Sequence, residues 1–482
     1  MCYFLFGKKP HLVRASLLVI LLILMAGCAT FHPKPISPQE TASSFEARTL
    51  EKADFKKFIE LNLHHEIRPW PPRFWDLNLL TWVAFYYHPD LDVARAKWGV
   101  AQAGVITAGQ RPNPSAGLIP QYSVNAAHGV SPWILNFSVD IPIETAGKRG
   151  YRIAQAKHLS DDARLSIATV AWQIRSRLRT SLLNFYAADQ SEILLRNQLA
   201  IQEDLVELME RRLAVGEVSR PDVTLAHLAL DQIRLSLTEA KKQRAEARGR
   251  IADAIGLSAE ALNEIEISFG FLEKLPDELP SPETRRQALL NRADILSSLA
   301  SYAASQSALQ LQIAKQYPDI HLGPGYEFDQ GENKWAIGVS VTLPVFNQNQ
   351  GPIAEAEARR KQAEAWFRAL QARTIGEIDT TQAGYRAALK ELEVADSFVS
   401  HKESEQQSIQ AMFKVGQVDR LALLSAQLEL ASSKLPRLDA LVKTQQSLGL
   451  LEDALQYPIN PSGPFPVVPE RNPREKEGAN GG

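Results

Sequence analysis

The sequence predicts an α+β membrane protein built from a duplicated unit, in which long antiparallel α-helical hairpins accompany two β-hairpins per chain. Three observations predict it: a repeat offset by about 200 residues, segments in which apolar and polar residues alternate, and stretches of more than sixty residues without proline. The net charge of −2 lacks the basic footprint of nucleic-acid binding, so we expect no nucleic-acid partner. Two cysteines exclude a disulfide framework.

Residues 1–27 predict a secretory signal peptide. Basic residues precede an apolar run that ends at Met25 and is too short to span a bilayer. The segment Met25–Cys28 resembles a bacterial lipobox, which implies that Cys28 is lipidated and becomes the mature N-terminus. A plain signal peptide ending near a free cysteine is the alternative. In bacterial lipoproteins, an Asp directly after the lipidated Cys favours retention in the inner membrane. This chain has Ala29 at that position, so the outer membrane is favoured. The prolines of 28–76 predict an extended, lipidated tether.

An internal repeat organises the rest of the chain. Arg211–Arg220 aligns with Ala411–Arg420, and both contain Val-Gly-x-Val before a final arginine. Segments upstream and downstream recur in the same order. We therefore predict one unit in two copies, 77–256 and 282–457, with a linker at 257–281 and a flexible tail at 458–482.

Four segments, at about 114–124, 133–142, 318–329 and 335–344, alternate apolar with small or polar residues. Period two predicts strands with one apolar face, and their length suits tilted membrane strands. Trp133 and Trp335 sit at strand ends and suit an aromatic girdle, with packing against a neighbouring loop as the alternative. The positions predicted to face a wet lumen are Asn136, Ser138, Asp140, His321, Glu327, Ser340 and Thr342.

Long helical stretches separate these hairpins. The predicted helices are Lys148–Val215, Asp222–Ile255, Pro352–Val415 and Asp419–Gln456, preceded by shorter ones near Leu77–Gln110 and Pro282–Gln316. The longest would extend roughly 100 Å, which favours coiled-coil packing. Four strands in lipid would leave open edges, and the smallest common membrane barrels have eight strands. Several chains must therefore share one barrel: two give eight strands and three give twelve.

Taken together, the lipobox, the duplicated hairpins and the Val-Gly-x-Val turns resemble the TolC-like outer membrane efflux protein family over Leu77–Gln456. The segment Ile141–Gly150 is most similar to the branch that serves heavy-metal RND (resistance–nodulation–division) pumps. The resemblance implies a homotrimer whose twelve-stranded β-barrel sits in outer-membrane lipid and continues as a periplasmic α-helical barrel. It also implies a periplasmic adaptor, or membrane fusion protein, and an inner-membrane RND pump. No enzyme activity, cofactor or resident metal is implied.

The resemblance also assigns sites. Its aperture acids would fall at Ala422 and Ser425 here, so Asp222 and Asp419 are the candidate aperture residues, with a helix N-terminal charge as the alternative for Asp222. Adaptor-docking tips would form at the two turns, where a plain helix–helix connection is the alternative. The tip residues are Arg212, Leu213, Val215, Gly216, Val218, Ser219, Phe413, Val415, Gly416, Val418 and Asp419.

The expected function is export of heavy-metal cations through this duct, with drugs or other organic compounds as the alternative cargo. Two further hypotheses belong to other classes. One is a structural coiled-coil envelope lipoprotein without a pore. The other is a periplasmic metal enzyme using His64, His65 and Glu66, whose spacing differs from that of metalloproteases. Lys148 and Arg149, at the membrane boundary, could contact headgroups or lumen charge, or could be a solvated helix start.

Overall fold

The computed structural model describes residues 30–263, 265–276 and 280–459, and the chain divides into two compact units, 1–48 and 49–482. In the first unit, helix α1 (Pro38–Glu46) begins after Ser37, whose side chain accepts a hydrogen bond from the Glu40 amide. The predicted signal peptide, Cys28 and most of the predicted C-terminal tail lie outside the described residues.

The second unit contains both copies of the repeat. Its first elements are α2 (Ala53–Leu63) and β1 (Phe74–Trp75). The first copy contains α3 (Leu77–Tyr87), α4 (Pro89–Gly109), β2 (Ser115–Tyr122), β3 (Trp133–Ile143), α5 (Lys148–Ala214) and α6 (Arg220–Ile255). Between the copies lie β4 (Glu266–Ile267) and α7 (Gly270–Glu273). The second copy contains α8 (Pro282–Asn291), α9 (Ala293–Ala314), β5 (Ile320–Asp329), β6 (Glu332–Val341), α10 (Gln350–Lys414) and α11 (Arg420–Leu455).

Residues 49–76 are folded, so the prediction of an extended tether is wrong for this part. The prolines cluster at 69–72 and leave α2 uninterrupted. Phe55, Phe58 and Ile59 repeat at the spacing of one helical face and are buried against aromatic residues of α3, with Phe58 and Trp82 ring centroids 5.8 Å apart. Strand β1 also pairs in parallel with β4, which ties this segment to the linker between the copies.

Each short helix predicted before a hairpin is broken in two. The first break is at His88, because a residue that precedes proline is driven out of helical backbone. The second is at Arg292, whose guanidinium binds the carboxylate of Asp294 at 2.6 Å and also the carbonyl of Ala454. The breaks lie 204 residues apart and so occupy equivalent positions in the two copies.

The long helices pair as predicted, α5 with α6 and α10 with α11. Helix α5 has 67 residues and is about 100 Å long at 1.5 Å per residue. Buried residues of α6 recur at heptad spacing, which is the pattern of coiled-coil packing: Val223, Ala226, Leu230, Leu237, Ala240, Ala247, Ile251 and Ala254. Among the described residues, no helix combines the length and the apolar character needed to cross a bilayer.

The four longer strands form one antiparallel sheet in the order β2-β3-β5-β6. The two copies therefore meet through β3 and β5. Strand β6 begins and ends three residues earlier than predicted, because Gln330 and Gly331 have positive φ and close a two-residue hairpin turn. Thr342 consequently lies past the strand, and its prediction as a strand position is wrong.

Candidate functional site

The sheet has two chemically different faces, and the strand register decides which residues share each one. Asn136 lies opposite Glu327, and Glu327 opposite Lys334. His321 lies opposite Ser340 in the same way. Because side chains directly opposite one another in a sheet point to the same side, the polar positions form one face. It includes six of the seven predicted lumen positions: Asn136, Ser138, Asp140, His321, Glu327 and Ser340.

This polar face carries every acidic or basic side chain of the four strands: Asp140, His321, Glu327, Asp329, Glu332 and Lys334. Asn136 Nδ2 donates to Glu327 Oε2 at 3.3 Å, and the Lys334 ammonium pairs with Asp329. Four carboxylates stand against one lysine, which gives a net charge of −3 with histidine neutral. The polar face is therefore electronegative.

Glycines occupy the middle of the polar face. Gly323 lies opposite Gly338, and Gly117 lies opposite Ser138. A Cβ atom at Gly338 would stand 3.3 Å from the Gly323 carbonyl oxygen, so even an alanine is tight here. Glu327, Asp329, Glu332 and Lys334 lie toward one end of this face, and Asp140 and His321 lie toward the other.

The opposite face is apolar and, in the single chain, strongly exposed. Trp335 and Ile337 are 82% and 83% exposed. Trp133 packs against Tyr122 with ring centroids 5.1 Å apart, and Trp335 packs against Tyr326 at 4.8 Å. Both tryptophans therefore contact a tyrosine of the adjacent strand. A continuous apolar surface of this kind marks an interface with lipid or protein.

The two long helical hairpins turn in the same way. Gly216 and Gly416 have φ of 81° and 75°, a left-handed conformation that favours glycine. After each glycine, the next amide donates back into the helix, Glu217 to the Arg212 carbonyl and Gln417 to the Met412 carbonyl, both at 2.9 Å. These are Schellman caps, which explains why the Val-Gly motif recurs.

The two turns lie side by side at the same end of the two long helical hairpins. The Arg212 guanidinium binds Asp419 Oδ2 at 2.7 Å, which links the first turn to the second. Leu421 packs on the same buried apolar cluster as Leu213 and Val218. Val215 and Val415 point outward, 71% and 70% exposed. The predicted tip residues thus form one surface, called here the tip surface: residues 212–219 and 413–419.

Both candidate aperture acids accept hydrogen bonds from nearby groups of the same chain. Asp222 forms a capping box with Ser219, whose hydroxyl and amide donate to the carboxylate and hold the pKa of Asp222 below its usual value. Asp419 caps α11, and the Ala422 amide followed by the Arg212 guanidinium lowers the pKa of Asp419. The geometry of Asp222 is that of a helix N-terminal charge, the alternative reading.

Lys148 and Arg149 differ in environment: Arg149 is exposed, as expected of a solvated helix start, whereas Lys148 is not. Lys148 is buried, and its ammonium lies 2.7 Å from Asp319 Oδ1. Arg149 Nε donates to the Gly109 carbonyl at 2.7 Å, at the end of α4. Both side chains therefore connect the start of α5 to neighbouring elements, Lys148 to the start of β5 and Arg149 to the end of α4. Sequence reasoning missed Asp319, because no spacing rule connects it with a lysine 171 residues earlier.

A second feature absent from the sequence reading is a buried ionic cluster between α5 and α11. Arg175 and Arg179 both lie 3.4 Å from the buried Glu452 carboxylate. Gly449 makes room for it, since a Cβ there would stand 2.1 Å from an Arg179 nitrogen. Charged residues on long helices usually indicate solvent-exposed faces. The sequence therefore did not indicate that these arginines and Glu452 form a buried contact between the two copies.

The histidine cluster near α2 has no metal-site geometry. His65 Nδ1 lies 3.0 Å from the Leu63 carbonyl, and Glu66 pairs with Arg68 at 2.6 Å. In the part of the chain that the structure describes, no group of three His, Cys, Asp or Glu side chains is placed to hold a metal ion.

A two-faced sheet carried on helical hairpins about 100 Å long defines a membrane protein of the outer-membrane channel class. The chain belongs to the outer membrane efflux protein family, whose model matches residues 85–257 and 284–455. The two matches coincide with the two copies of the repeat. The TolC-like fold and the outer-membrane location predicted from the sequence are thereby confirmed, and the family is one of transport proteins.

Individual relatives are more distant. Cobalt-zinc-cadmium resistance protein CzcC of Cupriavidus metallidurans is 26% identical over 277 residues, 57% of this chain and 64% of its own length. The probable outer membrane lipoprotein SilC of Salmonella typhimurium is 23% identical over 228 residues, 42% of this chain and 49% of its own length. This chain thus spans less than two thirds of either relative.

Two further similarities cover more of the chain. Pyoverdine export outer membrane protein OpmQ of Pseudomonas aeruginosa is 25% identical over 424 residues, 80% of this chain and 87% of its own length. A solved structure of CusC has a TM-score of 0.64 at 17% identity and covers 89% of this chain and 99% of that chain. At this identity, the structural likeness shows the fold alone.

Proposed function

We propose that three copies of the chain form the outer-membrane duct of a tripartite RND-type efflux system. In one chain β2 and β6 are the outer strands of the sheet, and within its described residues neither has a partner on its outer side. Unpaired backbone groups are costly in lipid, so each β2 pairs with the β6 of the next copy. Three four-stranded sheets close into a twelve-stranded barrel.

In this assembly the apolar face meets lipid, and Trp133 and Trp335 contribute to an aromatic girdle. The polar face lines the water-filled lumen. The helical hairpins continue the duct into the periplasm. The tip surface receives the periplasmic adaptor, which connects the duct to an inner-membrane RND pump, and the pump supplies the energy.

We further propose heavy-metal cations as the cargo. The observation that carries this choice is the electronegative polar face, because a passage lined by one sign of charge concentrates ions of the opposite sign. At −3 for each chain, three copies give −9 around one lumen. CzcC is named for cobalt-zinc-cadmium resistance, which supports a metal cargo. SilC is named as a probable outer membrane lipoprotein, which supports the location of the duct. OpmQ, named for pyoverdine export, makes organic compounds the second candidate.

Deletion of the gene in its host tests this function. We expect hypersensitivity to zinc, cobalt, cadmium, copper or silver, and unchanged growth with a panel of dyes and antibiotics. The wild-type gene should restore resistance. A variant with Glu327→Gln and Glu332→Gln should restore it less well, whereas the matched control Glu260→Gln, an exposed carboxylate outside the sheet, should restore it fully.

Two results would contradict the proposal. Sensitivity to organic compounds alone would keep the duct and reassign its cargo. A purified trimer that carries no ion current in planar bilayers would reject the duct and favour the structural lipoprotein.

A further inference from the structure

His321 has a defined orientation on the polar face. Its Nδ1 atom lies 3.0 and 3.1 Å from the two carboxylate oxygens of Asp140, which projects from the neighbouring strand β3. An ionised carboxylate can only accept hydrogen bonds, so the hydrogen of the neutral imidazole must sit on Nδ1. The lone pair is therefore on Nε2.

The residues beside His321 in the sheet are small, although the Asp319 carboxylate, which is paired with Lys148, lies close enough to interact with His321 electrostatically. Its neighbours across the sheet are Ser340 and Pro142, and the next residue on the same face is Gly323, opposite Gly338. The side chains of His321 and Asp140 are 37% and 48% exposed. No large side chain of these neighbours stands beside the imidazole, so its Nε2 edge is accessible from the polar face.

We propose that His321, held by Asp140, is a binding position for divalent transition-metal cations such as zinc or cobalt. Metal-binding histidines typically donate their second ring N–H to a carboxylate, which fixes the tautomer and strengthens the ligand nitrogen. Here Nε2 is the ligand, Asp140 is the positioning residue, and water completes the coordination. One protein ligand makes a weak site, which suits a conduit because a passing ion must also leave.

This inference rests on the proposed duct, in which the polar face lines the lumen. Three copies then present three equivalent imidazoles at one level. The negative charge of the same face raises the local cation concentration, and imidazole selects transition metals over magnesium, which prefers oxygen ligands. The predicted signature is a zinc effect on the lumen that magnesium at equal concentration does not produce.

The test is single-channel recording of the purified full-length trimer in planar bilayers in potassium chloride, with zinc chloride or magnesium chloride added. We expect zinc to reduce the potassium current of the wild type more than magnesium does. His321→Gln should abolish that difference. Asp140→Asn keeps a hydrogen-bond acceptor but loses the charge, and should weaken the apparent zinc affinity about tenfold. His128→Gln, in the loop between β2 and β3, is the matched control and should behave as the wild type.

A zinc effect that persists in His321→Gln, or that equals the magnesium effect in the wild type, would overturn the site while leaving the duct intact. Absence of any potassium current in the wild type would overturn the duct, and with it the site. An unchanged potassium current and elution volume in His321→Gln would show that the variant is folded and assembled.

Discussion

Gly256 shows how one residue can depend on contacts that no local pattern reveals. It follows α6 with φ of 74°, and a Cβ atom there would lie 2.9 Å from the Tyr87 carbonyl oxygen and from His88 Cα. Both the left-handed backbone and the close approach exclude a side chain. The left-handed backbone of Gly256 is that of a local helix cap, whereas its close approach to Tyr87 and His88, like that of Gly449 to Arg179, involves residues distant in sequence.

We therefore predict that Gly256→Ala destabilises the protein by more than the roughly 1 kcal/mol of a left-handed alanine, because backbone atoms must also move. Gly249→Ala is the matched control, since Gly249 lies inside α6 with open space around it and alanine is the better helix former by about 1 kcal/mol. Thermal unfolding of the detergent-solubilised protein checks this. Equal midpoints for the two variants would contradict the packing described here.

His88 predicts a pH dependence. Burial lowers the pKa of His88 below its ordinary value, although nearby Asp90 opposes the shift. A folded state that disfavours the protonated imidazole loses stability as pH falls below the unfolded pKa of about 6.5. Unfolding midpoints should therefore decrease between about pH 7 and pH 5 for the wild type.

The variant His88→Asn isolates this group. Asparagine keeps a side-chain acceptor for the Asp90 amide, a favoured helix cap, and does not titrate. Its midpoint should depend less on pH over the same interval. A pH profile identical to that of the wild type would assign the effect to other groups.

At the scale of elements, sequence periodicity predicted which segments are helices and which are strands. It did not predict where the turns end them. The heptad pattern and the two-residue alternation arise because one face of each element is buried. The spacing of apolar residues along the sequence shows which face that is. The bounds of β6 were missed because its start was placed at Trp335, the counterpart of Trp133, whereas the strand begins three residues earlier at Glu332. The first hairpin has a ten-residue connection and the second only Gln330 and Gly331.

The paired turns predict the effect of charge on docking. Val215→Asp or Val415→Asp should place a carboxylate in the apolar centre of the tip surface, where docking would have to desolvate it. We expect weaker copurification with the adaptor of the host and lower metal resistance, with trimer yield unchanged. Val394→Asp is the control, because Val394 is equally exposed, at 70%, but lies about 20 residues before the tip on α10. Normal copurification of both tip variants would place docking elsewhere.

For the whole molecule, the duplication made the architecture predictable, since each copy confirms the reading of the other. The sequence did not reveal that β3 pairs with β5, nor that Lys148 and Asp319 lock the junction across the two copies. These contacts join residues more than 170 positions apart, and local patterns carry no information about such partners.

The charge of the polar face predicts the ion selectivity of the assembled duct. Reversal potentials in a potassium chloride gradient should show preference for potassium over chloride. Replacing Glu327 and Glu332 by glutamine removes half of the four carboxylates and should reduce that preference clearly. Glu260→Gln should not change it. Anion preference in the wild type would contradict the orientation of the sheet proposed here.

The pairing of β3 with β5 also sets the order in which the protein can mature. A chain made and secreted from its N-terminus delivers β2 and β3 well before β5, since α5, α6 and the linker lie between them. During that interval, the exposed edge of β3 must be kept from pairing with other chains. Contacts this distant in sequence also form slowly. The sheet therefore stays incomplete until β5 and β6 arrive, and newly secreted chains should depend on periplasmic chaperones that shield strand edges.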